Sequence, residues 1–461
     1  MAERTDIAER EIRVLVENGE YWLRNRGDIA MMAVTVERIR ARWPHARIGL
    51  LTHQPAILRG LLPEVEPICG PDWSWGSDSW LTRTTATKLI GPAALWWRAT
   101  TDGPKDRLRA IRSADRNVRP RPDDDTEEIP EEFPVQIPDA VREASLVLAL
   151  GGGYLTDVDR YQAHRTMDLL EHAGGLGIPT ALIGQGLGPM HDKDLWRRAG
   201  EVLPNVDFIG LREARRGPEL LSQLGVPREQ VLVTGDDAVE FAYRLRDPRI
   251  GADIGLCLRV ADYSKVSAAA QDTLGKVVRA RAAELDAGLI PLIISEYASE
   301  DRLSTLPLLA GADRARPPVG RGANAHDVAR QVAGCRVLVT SAYHLAVFAL
   351  SQGIPAVGIT ASEYYDDKFH GLAGMFGAGL RVVHLDDQDL SEQLTAAITE
   401  LWDNAPALRD PLQQRAMDQI DASRAGLERV FGLVEDGPRS LPAPPPPSAN
   451  HPQGPVQRLG G

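Results

Sequence analysis

Residues 334–371 read GCRVLVTSAYHLAVFALSQGIPAVGITASEYYDDKFHG, and their pattern predicts a strand, a helix and a second strand. Ser341 follows the first β-branched run and is expected to cap a helix that carries His344 in its first turn. Residues 354–359 form the next predicted strand, and Lys368 lies beyond its carboxyl end. The carboxyl ends of parallel strands line the ligand crevice of an open sheet, and a helix N-terminus there favours an anion. An imidazole and an ammonium are therefore expected at one sheet edge, although a capped core helix with an incidental histidine would give the same pattern.

Short apolar runs alternate with helical patterns on both sides of this stretch, which predicts an α/β chain in two halves. The strands expected in the first half are 11–17, 47–52, 144–150, 180–183, 206–211 and 230–234. Those expected in the second half are 253–259, 289–295, 336–340, 354–359 and 380–385. Asp28 is expected to cap the first helix, at 29–43, and two separate helices are expected at 390–404 and 413–433.

Composition limits the class of protein. The 461 residues are 43% hydrophobic and 25% charged, which is enough for a core and too many for one typical domain. A net charge of −12 without a Lys/Arg-rich block argues against nucleic acid as a partner. Cys69, Cys257 and Cys335 are far apart and form no CxxC pair, so neither a zinc site nor a disulfide framework is predicted. The charged first residues lack an apolar signal region, and no run reaches the roughly 18 apolar residues of a membrane span, so we expect a cytoplasmic protein.

Two segments of the first half have the composition of an insertion. Residues 72–101 contain five tryptophans, and a helix is expected at 82–98. We expect this segment to pack on the domain; the alternative is a surface for a lipid-linked or sugar acceptor, with peripheral membrane contact. Residues 102–139 are rich in Arg, Asp, Glu and Pro and are expected to be disordered.

The expected domain boundaries follow from these patterns. They are a first domain over 1–245 with its insertion at 72–139, a second domain over 246–405, a C-terminal helix over 406–436 that packs back on the first domain, and a disordered Pro-rich tail over 437–461.

Glycines and polar residues follow many of the predicted strands, where a ligand can approach the backbone closely. In chain order the motifs are Asn25-x-Gly27-Asp28, Gly151-Gly152-Gly153-Tyr-Leu-x-Asp157, Gly184-Gln185-Gly186-Leu-Gly188-Pro189, Leu211-Arg212-Glu213, Thr234-x-Asp236-Asp237-Ala238, Cys257-Leu-Arg259, and the His344 helix with Gly353-Ile-Pro355 and Lys368. No GxGxxG follows the first strand, so a dinucleotide fingerprint is absent. Asp157, Asp236 and Asp237 could bind a metal, but carboxylates at strand ends more often cap helices, so no metal is predicted.

This ordered set of motifs resembles the polysaccharide pyruvyl transferase family over about residues 12–390. The resemblance implies a GT-B-like architecture of two Rossmann-type halves that face a cleft. It also implies phosphoenolpyruvate as the donor substrate, no cofactor, and a sugar with two free hydroxyls as the acceptor, in a glycan or glycolipid precursor. The product would be a cyclic pyruvate ketal, with release of phosphate.

The resemblance also implies roles for individual residues. It makes His344 the general acid, which suits a side chain whose pKa lies near neutral. Arg212 and Lys368 would anchor the carboxylate and phosphate of the donor, with further positive charge from Arg259. The other residues expected in the substrate site are Asn25, Gly27, Asp28, Gly152, Gly153, Gln185 and Gly186.

One position departs from the family's pattern and keeps alternatives open. The family usually has an Arg two residues before the His, where this chain has Ala342; Arg259, Arg321 or Arg336 could replace it in space. The runner-up function is a GT-B glycosyltransferase that uses a nucleotide sugar, for which Glu296 is the candidate ribose-binding carboxylate. A non-catalytic protein that keeps the fold is the third interpretation.

Overall fold

The computed structural model describes residues 11–69, 91–103, 137–261, 264–297 and 300–436. The predictions made for residues 70–90, for the acidic segment at 104–136 and for the tail at 437–461 lie outside this described part of the chain. Within it, strands and helices alternate and build two parallel sheets, as the sequence predicts.

Seven parallel strands form the first sheet, in the order β3-β2-β1-β4-β5-β6-β7. They are β1 (Arg13–Glu17), β2 (Arg47–Leu51), β3 (Glu66–Ile68), β4 (Leu146–Ala149), β5 (Thr180–Gln185), β6 (Phe208–Leu211) and β7 (Val231–Val233). Every residue of β4, β5 and β6 is buried, as expected for parallel strands covered by helices on both faces. The strand order reverses between β1 and β4, which places a crevice at the carboxyl ends of these two strands.

Five parallel strands form the second sheet, in the order β12-β11-β10-β8-β9. They are β8 (Asp253–Cys257), β9 (Leu289–Pro291), β10 (Cys335–Thr340), β11 (Ala356–Thr360) and β12 (Leu380–His384). β9 is shorter than predicted because the residues after it turn toward the first half. There the amide of Arg26 donates to the Ile294 carbonyl at 2.9 Å, and Asn25 bridges to Ser295.

The helices cover both sheets. They are α1 (Arg26–Arg42), α2 (Pro55–Leu61), α3 (described over 91–103), α4 (Arg160–Gly175), α5 (Lys193–Val202), α6 (Gly217–Gln223), α7 (Ala238–Arg244), α8 (Ala268–Glu284), α9 (Glu300–Thr305), α10 (Ala325–Val332), α11 (Tyr343–Ser351), α12 (Glu363–Phe376) and α13 (Leu390–Glu435).

Two predicted helix caps are wrong. Asn25, not Asp28, caps α1, and its side chain accepts a hydrogen bond from the Gly27 amide at 3.0 Å. The N-cap position of α11 is Ala342, because the Ser341 hydroxyl accepts the backbone amide of Arg259 at 2.7 Å instead. Both corrections release a side chain from local capping: Ser341 contacts the end of the neighbouring strand β8, and Asp28 lines the crevice.

The C-terminal helix is continuous, which corrects the prediction of two helices. Pro406 and Pro411 lie inside α13. A proline in a helix leaves the carbonyl four residues earlier without its usual donor. For Pro406 this is the carbonyl of Trp402, and it accepts the Nε of Arg336 at 3.0 Å. The helix continues through both prolines and runs from the second sheet to β5, β6 and β7 of the first.

A buried arginine links the two halves. Arg26, at the start of α1, has a side chain only 5% exposed and donates to the carboxylate of Glu296 at 3.0 Å. It also donates to the carbonyls of Ala323 at 2.7 Å and Ile293 at 3.1 Å. Because a buried charge is stable only with such partners, the pairing fixes α1 against the second half.

We predict that Arg26→Ala destabilises the protein by about 3 kcal/mol, because it leaves several buried carbonyls without their donor and removes one of the three arginines bound to the Glu296 carboxylate. Arg42, on the same helix, pairs with Glu435 at 2.8 Å on the surface and is the matched control. Its alanine variant should lose less than about 1 kcal/mol. Urea unfolding measures both, and equal losses would contradict the role given to Arg26.

Candidate functional site

A polar cavity of about 170 Å³ lies between the two halves at the carboxyl ends of their strands. Its wall from the first half includes Asn25, Asp28, Gly152, Gly153 and Arg212. Its wall from the second half includes Arg259, Tyr343, His344, Tyr364 and Lys368. Most of the residues predicted for the substrate site are thus brought together by contact between the halves.

His344 is held at this cavity by a helix that is buried along its whole length. It is 7% exposed, in the first turn of α11. Its Nε2 lies 3.7 Å from Oδ2 of Asp236 and 4.0 Å from Oδ1 of Asp28. Burial first, and then the positive charges of Arg212 and Lys368, lower the pKa of His344 well below 6.5. The imidazole is therefore neutral near pH 7 when the cavity holds no anion.

Two basic side chains at the cavity have no acidic partner among the described residues. Arg212 is 3% exposed and stacks over the Tyr343 ring at 4.3 Å, and its Nε has no hydrogen-bond partner. Lys368 lies 3.6 Å from the centre of the Tyr364 ring and donates to the Tyr364 hydroxyl. Burial, and then the charge of Arg212, lower the pKa of Lys368 well below its usual value. An anion in the cavity would relieve both side chains.

The third predicted cation, Arg259, already has a partner. Its guanidinium binds the buried carboxylate of Asp301 with two contacts, of 2.9 Å and 3.2 Å. It still lines the cavity, whereas Arg321 pairs with Glu296 and Arg336 stacks on Trp402. Of the three arginines considered as substitutes at the Ala342 position, Arg259 is the one at the cavity.

Three glycines predicted for the site make room for its functional side chains. A Cβ on Gly27 would lie 2.3 Å from Cγ of His344, and one on Gly186 would lie 2.5 Å from a terminal nitrogen of Arg212. A Cβ on Gly153 would lie 2.5 Å from Nζ of Lys368. Contacts under about 3 Å are not tolerated, so these positions exclude larger residues while the imidazole and cations stay in place.

The remaining predicted residues have mixed placements. Asn25 and Gly152 line the cavity, and Asn25 also caps α1. Gln185 is fully buried behind the wall, where its amide donates to the Leu150 carbonyl at 3.3 Å. Gln185 therefore supports the cavity wall and does not line the cavity itself.

Sequence reasoning missed Tyr364 as a site residue. Its hydroxyl donates to the Gly153 carbonyl at 2.7 Å and so joins α12 to the glycine loop of the first half. The sequence signal for Tyr364 is its spacing of four residues from Lys368, which places both side chains on one face of a helix. No helix is predicted over 363–376 from the sequence, so this shared face becomes apparent only in the structure.

No group of three or more His, Cys, Asp or Glu side chains among the described residues is arranged to hold a metal ion. In the same part of the chain, no helix combines the length and the apolar character needed to span a bilayer.

A model of the polysaccharide pyruvyl transferase family matches residues 25–363. The chain belongs to this family. The match begins at the Asn25 cap and includes the cavity's glycine loops, Arg212 and His344, and it ends just before Tyr364 and Lys368. A search of curated proteins found no match to this chain.

Solved structures support the fold. A protein described as a UDP-N-acetylglucosamine 2-epimerase from Listeria monocytogenes has a TM-score of 0.55 and 13% identity, over 93% of this chain and 98% of that one. The S. aureus MnaA–UDP co-structure has a TM-score of 0.52 and 13% identity, over 92% and 96%. The 2-epimerase from Rickettsia bellii has a TM-score of 0.51 and 11% identity, over 93% and 98%. This family member therefore has the GT-B-like architecture that was predicted.

The low pKa of His344 gives a test of the site's electrostatics. We predict that Arg212→Met raises the pKa of His344, because it removes the positive charge that, after burial, most disfavours the imidazolium. NMR titration of ¹³C-labelled histidine measures the change, with His344→Gln identifying the signal. Arg429→Met, a change far from the cavity, is the control. An unchanged or lower pKa in Arg212→Met would contradict the arrangement.

Proposed function

We propose that the protein transfers the pyruvyl group of phosphoenolpyruvate to two hydroxyls of a sugar in a glycan or glycolipid precursor. The transfer forms a cyclic ketal and releases phosphate. The observation that carries this proposal is a buried imidazole beside Arg212 and Lys368, two basic groups without an acidic partner among the described residues. A donor with a carboxylate and a phosphate supplies the negative charge that these groups lack.

His344 is the proposed general acid, which protonates the methylene carbon of the donor. Before the donor binds, burial and then the nearby cations lower the pKa of the imidazole and so favour its neutral form. A multiply charged anion between Arg212 and Lys368 offsets the charges of these cations and so raises the pKa of His344. Donor binding thus favours the imidazolium that the first step needs.

Arg259 is the proposed replacement for the guanidinium that the family usually has two residues before the His. Its pairing with Asp301 reduces the net charge it offers, but it fixes the orientation of the guanidinium at the cavity wall. We infer that Arg212 and Lys368 provide most of the donor's binding energy and that Arg259 orients it.

The alternative is a glycosyltransferase that uses a nucleotide sugar. It would need a carboxylate to accept the ribose hydroxyls, and Glu296 was the candidate. The Glu296 carboxylate accepts hydrogen bonds from Arg26 at 3.0 Å, Arg302 at 2.7 Å and Arg321 at 3.1 Å. Because these contacts occupy both oxygens, Glu296 is not available to accept the ribose hydroxyls of a nucleotide sugar. This favours the pyruvyl transferase over the glycosyltransferase.

Ligand binding separates the candidate functions. Phosphoenolpyruvate should raise the melting temperature of the protein, since ligand at 100 times its Kd adds about 2.7 kcal/mol to native-state stability. UDP-N-acetylglucosamine should give a smaller shift. The Arg212→Met variant should lose the phosphoenolpyruvate shift. A larger shift with the nucleotide sugar would favour the glycosyltransferase, and no shift with either ligand would favour the non-catalytic interpretation.

Two substitutions distinguish acid catalysis from donor binding. His344→Gln should lower kcat by at least about 100-fold while phosphoenolpyruvate still binds, because it removes the proton donor. Lys368→Met should weaken phosphoenolpyruvate binding more than sugar binding, because it removes a charge from the donor's side. Calorimetry and phosphate release measure the two effects, and circular dichroism checks folding. The opposite pattern, or a folded His344→Gln variant with a full rate, would contradict the assignments.

A further inference from the structure

Three carboxylates among the described residues line the cavity, and two of them have structural contacts. Glu20 accepts the Tyr297 hydroxyl at 2.6 Å and the Arg24 amide at 2.7 Å. Asp159 caps α4 by accepting the Gln162 amide. The Asp28 carboxylate accepts no hydrogen bond from any described residue. Its oxygens are therefore available to a molecule in the cavity.

Asp28 and Asp236 both lie near Nε2 of the His344 imidazole, and of the two it is Asp28 that lines the cavity. Asp236 is 1% exposed, its Oδ2 lies 3.7 Å from Nε2 of His344, and its Oδ1 accepts the Ala238 amide at 2.9 Å. Asp28 is 14% exposed, with Oδ1 4.0 Å from Nε2 of His344. Asp28 is therefore the carboxylate of this pair that faces the space that a substrate would occupy.

Charge decides which substrate Asp28 can face. An anionic donor is attracted to Arg212 and Lys368 and repelled by a carboxylate. The hydroxyls of a sugar are neutral and can donate hydrogen bonds to a carboxylate. Asp28 thus suits the acceptor side of the cavity.

We propose that Asp28 is the general base that removes the proton from the attacking hydroxyl of the acceptor. This assignment rests on the proposed function. It gives the acceptor a defined position, between Asp28 and the C2 atom of a donor held by Arg212 and Lys368.

The proton and electron balance is complete with these groups. A bond forms between the acceptor oxygen and C2, Asp28 takes the hydroxyl proton, and the C2–C3 π electrons take a proton from the His344 imidazolium. Asp28 then returns its proton to His344 through one water, because the 4.0 Å between Oδ1 and Nε2 is longer than a direct hydrogen bond. In the second stage the bond between C2 and the phosphate oxygen breaks, with the electron pair leaving on phosphate, and the second hydroxyl oxygen bonds to C2. The proton of that hydroxyl leaves with the phosphate.

The surroundings of Asp28 favour a proton acceptor that works near neutral pH. The charged groups around it are Glu20, Asp159, Arg212, Asp236, Arg259, His344 and Lys368. The hydroxyls of Tyr154, Tyr297 and Tyr364 also lie within electrostatic reach of it. Burial, and then the carboxylates of Glu20 and Asp236, raise the pKa of Asp28 well above its usual value.

The test compares Asp28→Asn with the wild type and with Asp418→Asn, a surface change on α13. Phosphate release from phosphoenolpyruvate is measured across pH with methyl β-galactoside and water as acceptor probes. Asp28→Asn should lose at least about 100-fold in rate, with the fall in kcat/KM at acid pH abolished. Its binding of phosphoenolpyruvate should stay within about threefold of the wild-type value. Asp28→Glu should restore part of the rate and also the fall in kcat/KM at acid pH.

Each contrary result has a distinct meaning. A folded Asp28→Asn protein that keeps the full rate, or whose kcat/KM still falls at acid pH as in the wild type, overturns the assignment of Asp28 as the base. A loss of phosphoenolpyruvate binding as large as the loss of rate also overturns it, because Asp28 would then belong to the donor's site. A wild-type protein that neither binds nor consumes phosphoenolpyruvate contradicts the proposed function itself.

Discussion

Positive charge held in a buried cavity without a carboxylate partner is the constraint on which the rest of this site depends. Arg212 and Lys368 are kept there by aromatic rings, which attract cations through their negative faces, and by glycines that leave room for them. Together with burial, the same charges lower the pKa of His344 and favour its neutral form. The imidazole and the two cations therefore form one electrostatic unit that an anion would complete.

This unit exists only because the two halves are fixed against each other. Arg26 extends from α1 into the second half, where Glu296 and backbone carbonyls satisfy its guanidinium. On the opposite wall, Tyr364 joins α12 to the Gly153 loop. The continuous helix α13 crosses from one sheet to the other. Because the contacts are buried and polar, a small relative movement would break several hydrogen bonds at once.

Local patterns predicted most strands and helices, and also the placement of His344, Lys368 and Arg212 after strand ends. They failed where a local preference was overruled by a distant partner. Ser341 has the chemistry of a helix cap, but its hydroxyl accepts an amide from a neighbouring strand's end. Pro406 has the chemistry of a helix break, but the carbonyl that it leaves free finds a donor 66 residues away in sequence. Neither partner can be recognised from neighbouring letters.

The alternation of strands and helices, the glycine loops at strand ends and the basic residue types suited to an anion can all be recognised in the amino-acid sequence. Strands, helices and loops follow from periodicity and backbone sterics, which act over a few residues. Which charges are paired becomes apparent in the folded structure. Glu296 and Arg259 are occupied by partners, whereas Asp28 is open to the cavity. The reason is that desolvation and ion pairing depend on distances between segments far apart in the chain, and those distances exist only after folding.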